Sequence, residues 1–563
     1  MGTPFAPVTA SQQPPRYPIP SILIHTVLSH SDYYSDTFAG GNTDGASRCP
    51  HLAALYGNKP VDRDVQVTEV HTDSMLETIR NGVARLFYGA MNWFWPEPNP
   101  AIPVVHLDVS HMGALHAMGP EQLMHRLAIQ SNELVVKFQI GTKWITVVKG
   151  RDTARELLNL SAHQIGRGDA FAAFTALIGP VFFSKDNDRV IPDRNRFKIS
   201  VQRSEINFQR IQLHAHAIIA SLKAQGEHPD FMALVVQYTM GAIAKCFVGI
   251  KDTDKIPSDA FLIFLEAGKQ ITHASIDPVS VLTTPMVRAD FRDIKLRMDA
   301  LFDQIIRDHL DAICEGDNYI WDLAVSRAEQ LRPGERFFHI KAYDAKDQDS
   351  VFIRTLIATD RWVRETGPTT LFASMNISRS LYFMLEMLNA NPDIWNNICN
   401  EVHTAGTVAC VKDIKDTQMP FLNATVLEAL WHLTPIPMMP REILQDVDIV
   451  LPMVSGDVPA HFRRGDMLLL MFKELQGGAL TTGFDPSAWL NGSKLRDLWA
   501  FGQGARACPA KPFAIQVMKQ FLLEMVQQGV RIAPAVPATY TTGFGGVGPK
   551  YDPTAPIPAV INA

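Results

Sequence analysis

From about residue 105 onward one pattern dominates the chain: apolar residues recur at helical spacing, and strand-like stretches are few. Phe197–Leu222 alternates apolar and polar residues at that spacing. Phe231–Val248 is apolar almost all round, as a buried helix is, and Met298–Ile313 is amphipathic. Asp349–Leu388 is the longest helical stretch, with a break or kink at Gly367-Pro368 and an end before Asn391-Pro392. Ile394–His403 and Thr417–Leu433 follow, the latter with Pro420 in its first turn. The strand-like pieces, Asp448–Met453 and Asp466–Met471, come late, and the tail from Ile532 is rich in Pro, Gly and Thr without a helix signal. The pattern predicts a mainly α fold with small β-sheets. With no break after residue 105, one large core is expected over 101–563, although 563 residues at roughly 150 per domain allow four.

Residues 1–100 read as an extension rich in Pro, Ser, Gly and Asp that ends in the breaker Pro96–Pro100. It shows no basic segment followed by an apolar one, so a secreted protein is not expected. No apolar run reaches the roughly 18 residues a membrane span needs. Val83–Trp95 reads as a core helix ahead of a surface-lying membrane segment. The expected location is cytoplasmic or peripherally membrane-associated. With 52 basic against 58 acidic residues there is no global basic field, and nucleic acid is not an expected partner. A hydrophobic share of 46% excludes a largely disordered chain.

The six cysteines are dispersed, with no CxxC pair and no zinc-type cluster. Five read as small buried apolar residues. The sixth lies in Trp499–Phe513, WAFGQGARACPAKPF. Two glycines in Phe501–Gly504 let the backbone turn tightly and approach another group. Cys508 then precedes Pro509, Pro512 and the apolar helix from Phe513, so it stands at a helix N-terminus. Free N–H groups, the positive end of the helix dipole and Arg506 all favour a thiolate there, suited to a soft metal or haem iron.

FGQGARACPA resembles the haem-binding Cys loop of cytochromes P450, F-G-x-G-x-R-x-C-x-G/A, at Phe501, Gly502, Gly504, Arg506, Cys508 and Ala510. The resemblance implies haem b with Cys508 as axial thiolate. Phe501 would pack beside the sulfur, Gly502 and Gly504 would shape the loop, and Arg506 would pair with a propionate. Upstream, Asn423–Glu442 is similar to the family's K-helix and the strand after it. Glu428 stands for the Glu of E-x-x-R, 80 residues before the Cys, and Arg441 for a propionate-binding Arg. Phe462–Leu470, Phe484–Trp489 and the I-helix-like Thr370–Pro392 extend the likeness over roughly residues 100–563. It implies a single haem-containing domain of the cytochrome P450 fold.

Three departures stand out. Trp431 replaces the Arg of E-x-x-R, and Ala488 replaces the Arg of F-x-P-x-R-W. A buried Glu428 stripped of both cations needs another partner, for which His432 and the Trp431 indole N–H are expected. In the I-helix-like segment Asn376 and Ile377 stand where an acid and an alcohol handle protons in the family. An amide donates protons poorly and Ile not at all. Ser378 is the remaining hydroxyl, about 100° further round the helix. Asn376 and Ser378 are thus the catalytic candidates. A similar Asn occurs in the branch with prostacyclin synthase and the sterol hydroxylases.

The resemblance implies a monooxygenase that inserts oxygen from O2 into an apolar small molecule, lipid, terpenoid or polyketide-like, with a separate NADPH-dependent reductase. A haem-thiolate isomerase, dehydratase or peroxygenase without external electrons is the alternative, and a degenerate haem-binding protein a third. Lys511 and Lys519 flank the loop, as solvated residues or part of a docking face. Phe372, Met375, Asn376 and Pro435–Met439 are expected to line the pocket. The loop-rich extension is associated with divergent members of the fungal secondary-metabolism type.

Overall fold

A computed structural model describes residues 102–105, 132–178, 190–276, 285–406, 418–477, 483–490 and 498–562, with short gaps at 141–142, 254–255, 258, 539, 544–545 and 550–554. The N-terminal extension and Val83–Trp95 lie outside the described residues.

The expected mainly α architecture is present. The helices are α1 (Arg151–Asn159), α2 (Ala172–Ile178), α3 (Val190–Gln202), α4 (Ser204–Gln225), α5 (Phe231–Ile243), α6 (Ala260–Ile276), α7 (Pro285–Cys314), α8 (Tyr319–Leu331), α9 (Gln348–Thr359), α10 (Arg361–Thr366), α11 (Ser374–Ala390), α12 (Pro392–Ala405), α13 (Pro420–His432), α14 (Phe472–Gln476) and α15 (Lys511–Gln527). Most of their apolar faces join in one core built on α5, α11, α13 and α15. Helix α5 runs on into a π-helical turn at Ala244–Val248 and stops at Gly249, whose φ of 84° is left-handed. Phe231–Val248 is apolar enough to cross a membrane by composition, but 83% of it is buried inside protein.

The long stretch Asp349–Leu388 is four pieces rather than one kinked helix. Asp360 ends α9 and caps α10 by accepting the Val363 N–H, and Pro368–Ala373 forms a 3₁₀ segment before α11. Each break has a local cause, a capping Asp and a Gly-Pro pair. Arg203 likewise divides Phe197–Leu222 into α3 and α4.

Strands also begin earlier than the sequence suggested. β1 (Val135–Ile140) and β2 (Lys143–Val148) form a hairpin. With β3 (Ile165–Gly166), β5 (Met439–Ile443) and β8 (Met467–Leu470) they make a five-stranded sheet in the order β1-β2-β8-β5-β3. A second apolar cluster, including Val148, Leu157, Leu470 and Trp499, fills the space between this sheet and α1. β6 (Val447–Met453) and β7 (Gly456–Phe462) form a separate hairpin. The tail, expected without helix, carries four short strands among its described residues. β4 (Glu227–His228), β12 (Ala559–Asn562) and β9 (Arg531–Pro534) form one sheet, and β10 (Tyr540–Gly543) pairs with β11 (Gly546–Pro549). Just after β4, the N–H of Phe231, first residue of α5, donates to Ile557 O at 2.7 Å.

Candidate active site

The Cys loop closes on itself through backbone hydrogen bonds. Gly502 N donates to Trp499 O (2.8 Å), Ala507 N to Gly504 O (3.1 Å) and Cys508 N to Phe501 O (2.8 Å). Gly502 and Gly504 have φ of 63° and 72°, a left-handed conformation that glycine adopts without steric cost. Gly504 has a second reason: a Cβ there would sit 2.3 Å from Leu158 O at the end of α1. Cys508 lies ahead of α15, with Pro512 in the helix's first turn, as its sequence predicts.

The Cys508 sulfur receives the N–H groups of Ala510 and Lys511, and the charges of Arg194 and Lys511 also favour its thiolate. Burial outweighs these and raises the thiol pKa from its ordinary value. The residue is nevertheless exposed to solvent. Cys508 is thus an exposed position of the loop, not a member of the packed core. Phe501 is half-buried, with Lys511 Nζ 5.9 Å from its ring centre.

Two guanidinium groups, Arg506 and Arg194, belong to this loop, and Arg441 is expected with them. Arg506 ends the 3₁₀ turn Gly504–Arg506, and Arg441 lies on β5, 2% exposed, donating to Pro440 O at 2.9 Å. Arg194 on α3 donates to Ala507 O at 2.6 Å. Sequence reasoning overlooked Arg194 because nothing in VIPDRNR separates it from its neighbour Arg196. Lys519 is buried at 4% exposure, which removes it from any surface reading, and Lys511 is half-buried.

Behind the loop, Glu428 on α13 is 1% exposed and has three donors. His432 Nε2 lies 3.0 Å from Oε1, Asp485 N donates to the same oxygen at 3.1 Å, and Trp489 Nε1 donates to Oε2 at 2.5 Å. The expected His432 contact is present. Trp431 is not the other partner: its Nε1 donates to Gln476 O at 3.0 Å. Gln476, the last residue of α14, is fully buried. Its Nε2 donates to Leu430 O, Trp431 O and Thr434 Oγ1, and its Oε1 accepts Trp499 N (2.7 Å) and Ala500 N (2.9 Å). Gln476 lies 23 to 46 residues from its partners and Trp489 lies 61 from Glu428, so no local pattern flags them.

The other expected site residues stand at the start of α11. Ala373 is exposed and Asn376, one turn on, half-buried, whereas Met375 and Ile377 are buried at 4% and 8% exposure. An accessible stripe at i and i+3 inside a buried helix marks a face on open space. Phe372 is half-buried and meets Phe264 and Phe174 edge-on at 5.7 and 6.2 Å. Ser378 is elsewhere. It is fully buried, donates to Ser374 O at 2.7 Å, and its hydroxyl is 2.5 Å from that of Thr239 on α5. The structure thus separates the two catalytic candidates onto different faces of α11. Lower on α11, buried Glu386 accepts Ala538 N (2.7 Å) and the Tyr540 hydroxyl, tying the β10–β11 hairpin to the helix.

A cleft of about 670 Å³ opens elsewhere, between α4, α5 and residues 249–253; neither the Cys loop nor α11 lines it. Among the described residues no cluster of His, Cys, Asp or Glu is arranged to hold a metal ion.

No curated protein matches the chain. The family model for cytochrome P450 matches residues 98–458, and that stretch ends ahead of the Cys loop, whose assignment rests on its own residues and geometry. It nonetheless covers well over half of the sequence, including α5, α11 and α13: the chain belongs to the cytochrome P450 family.

Proposed function

We propose that the protein is a haem-thiolate monooxygenase that holds haem b on Cys508 and inserts oxygen from O2 into an apolar small molecule of lipid, terpenoid or polyketide-like class. Family membership gives the general level, an oxidoreductase with a haem bound through a cysteine thiolate. The observation that carries the rest is Cys508 itself, an exposed residue ahead of a helix whose sulfur receives two backbone N–H groups.

The residues present fit the group. The N–H groups of Ala510 and Lys511 point at the sulfur and hold a thiolate in place, as charge-assisted donors do. Gly502 takes a left-handed turn, and Gly504 keeps the loop slim where a side chain would collide with Leu158 O. Arg441 and Arg506, joined by Arg194, offer guanidinium donors to two propionates. When bound, the haem supplies the oxygen activation and electron transfer that amino-acid side chains lack. The chain's residues supply the enclosure. Phe372 and Pro435–Met439 give an apolar wall that excludes water and orients an apolar substrate, whereas Met375, expected to join them, is packed in the core. Asn376 is the polar group on the accessible stripe of α11, and its amide orders water and substrate rather than acting as an acid.

One observation favours a second reading. Ile377 carries no proton donor, and the Ser378 hydroxyl is engaged with Ser374 and Thr239, away from the Ala373–Asn376 face. A site so poor in proton donors also suits an isomerase, a dehydratase or a peroxygenase, which takes its oxidant preformed. The monooxygenase reading requires a separate NADPH-dependent reductase. A secondary-metabolic role and a cytoplasmic or peripherally membrane-associated location complete the proposal.

The test is the spectrum of the dithionite-reduced, CO-bound protein beside Cys508→Ser. A red-shifted thiolate-type Soret band that the variant loses is expected. Haem indifferent to Cys508, or no haem, overturns both enzyme readings in favour of a degenerate protein. Turnover with NADPH, reductase and O2, against turnover with an organic hydroperoxide alone, then separates the two readings.

A further inference from the structure

We infer that Gln476 is a positioning residue for the thiolate loop, and that with Trp431 it forms an uncharged clasp in place of an ionic tie. The inference rests on the assignment of Cys508 as the haem ligand. The position where E-x-x-R would place a guanidinium holds Trp431, whose indole N–H reaches Gln476 O. The Gln476 side chain returns the contact by donating to Trp431 O, and also to Leu430 O and Thr434 Oγ1. This fastens α14 to the C-terminal end of α13, where helix carbonyls lack intrahelical partners.

The other end of the same amide points at the loop. Oε1 accepts both Trp499 N and Ala500 N, the two residues immediately before Phe501. One fully buried side chain therefore bridges the end of α13 to the start of the Cys loop. Trp499, 0% exposed, locks the entry of the loop into the second apolar cluster. Phe501 O in turn holds Cys508 N. The route from α13 to the sulfur is short: Gln476, Trp499–Ala500, Phe501, Cys508.

An amide suits this place. It donates to carbonyl and hydroxyl oxygens at one end and accepts two amides at the other, and no ionised group of similar shape does both. It carries no charge to desolvate or to titrate.

The test uses the holoenzyme and compares Gln476→Met, which keeps the volume and removes the polar ends, with Leu323→Ala in α8, a core variant remote from the loop. At matched loss of melting temperature, Gln476→Met is expected to lose the thiolate-type CO band about ten-fold faster in mild denaturant. A band as long-lived in Gln476→Met as in Leu323→Ala overturns the inference. A second measurement requires no variant. Hydrogen exchange in the parent holoenzyme should protect the Trp499 and Ala500 amides as strongly as the interior of α13, and exchange at loop rates overturns the clasp. Cys508→Ser keeps the two assignments apart. If it retains the thiolate band, the ligand assignment itself fails; if it loses the band, the behaviour of Gln476 judges the clasp alone.

Discussion

Behind the Cys loop, a buried carboxylate and a buried amide gather donors and acceptors from α13, α14, Trp489 and the loop itself, and each of their side-chain oxygens has a partner. At the start of α11, the accessible positions offer one amide, with a buried Ile and an engaged Ser beside it. Both regions depart from the cytochrome P450 pattern, but in different ways. The proximal side exchanges two arginines for a histidine, two indoles and an amide, and gives the oxygens of Glu428 and Gln476 new partners. The α11 side exchanges an acid–alcohol pair for groups that do not restore its proton chemistry. Scaffold roles pass readily to any side chains that satisfy the same buried atoms, whereas proton transfer demands particular functional groups.

The hardest way to break the proximal side is Gly504→Ala. A Cβ at that position combines a left-handed backbone with a 2.3 Å approach to Leu158 O. Purified Gly504→Ala should retain little haem by absorbance while its far-ultraviolet dichroism stays helical. Next in size, Glu428→Ala strands His432 and Trp489 in the core, and denaturant unfolding should show a loss of about 3 kcal/mol.

A third experiment separates acid unfolding of the whole fold from loss of the thiolate. Burial, reinforced by the Lys245 charge, lowers the His214 pKa from 6.5 to about 4. Its value in the fold lies below that of the unfolded chain, so its contribution is fully present above pH 6.5. As pH falls, the unfolded chain takes up the proton first, and about 3 kcal/mol of stability is lost between pH 6.5 and about 4. His214→Gln should flatten melting temperature over that window, whereas the parent declines. The smallest effects sharpen the distal side. Asn376→Ala should alter product yield per NADPH several-fold, and Ser378→Ala should leave it unchanged while costing about 1 kcal/mol of stability. An Asn376→Ala enzyme with parental turnover and product removes the catalytic role of that amide.

What the sequence disclosed follows from range. The Cys loop, the helix at Phe231–Val248 and the His432–Glu428 contact are all local, written in spacings of a few residues. Trp489 and Gln476 reach their partners only through the tertiary fold, and Arg194 gains its meaning from the loop it touches. Two local signals were present and overridden. Asp360 is a good capping residue inside a long helical pattern, and the apolar alternation of Val135–Val148 was overlooked beside stronger helix periodicity.

The small sheet β4-β12-β9 has a consequence for biosynthesis. It pairs Glu227–His228 with Ala559–Val560, and the first N–H of the central helix α5 is satisfied by Ile557. Those contacts span more than half of the chain, so a nascent polypeptide on the ribosome cannot make them until the last residues of this sequence emerge. The start of α5 therefore remains open until residues 557–560 have been made. Truncation before Ile557 should mimic a nascent chain stalled in that open state.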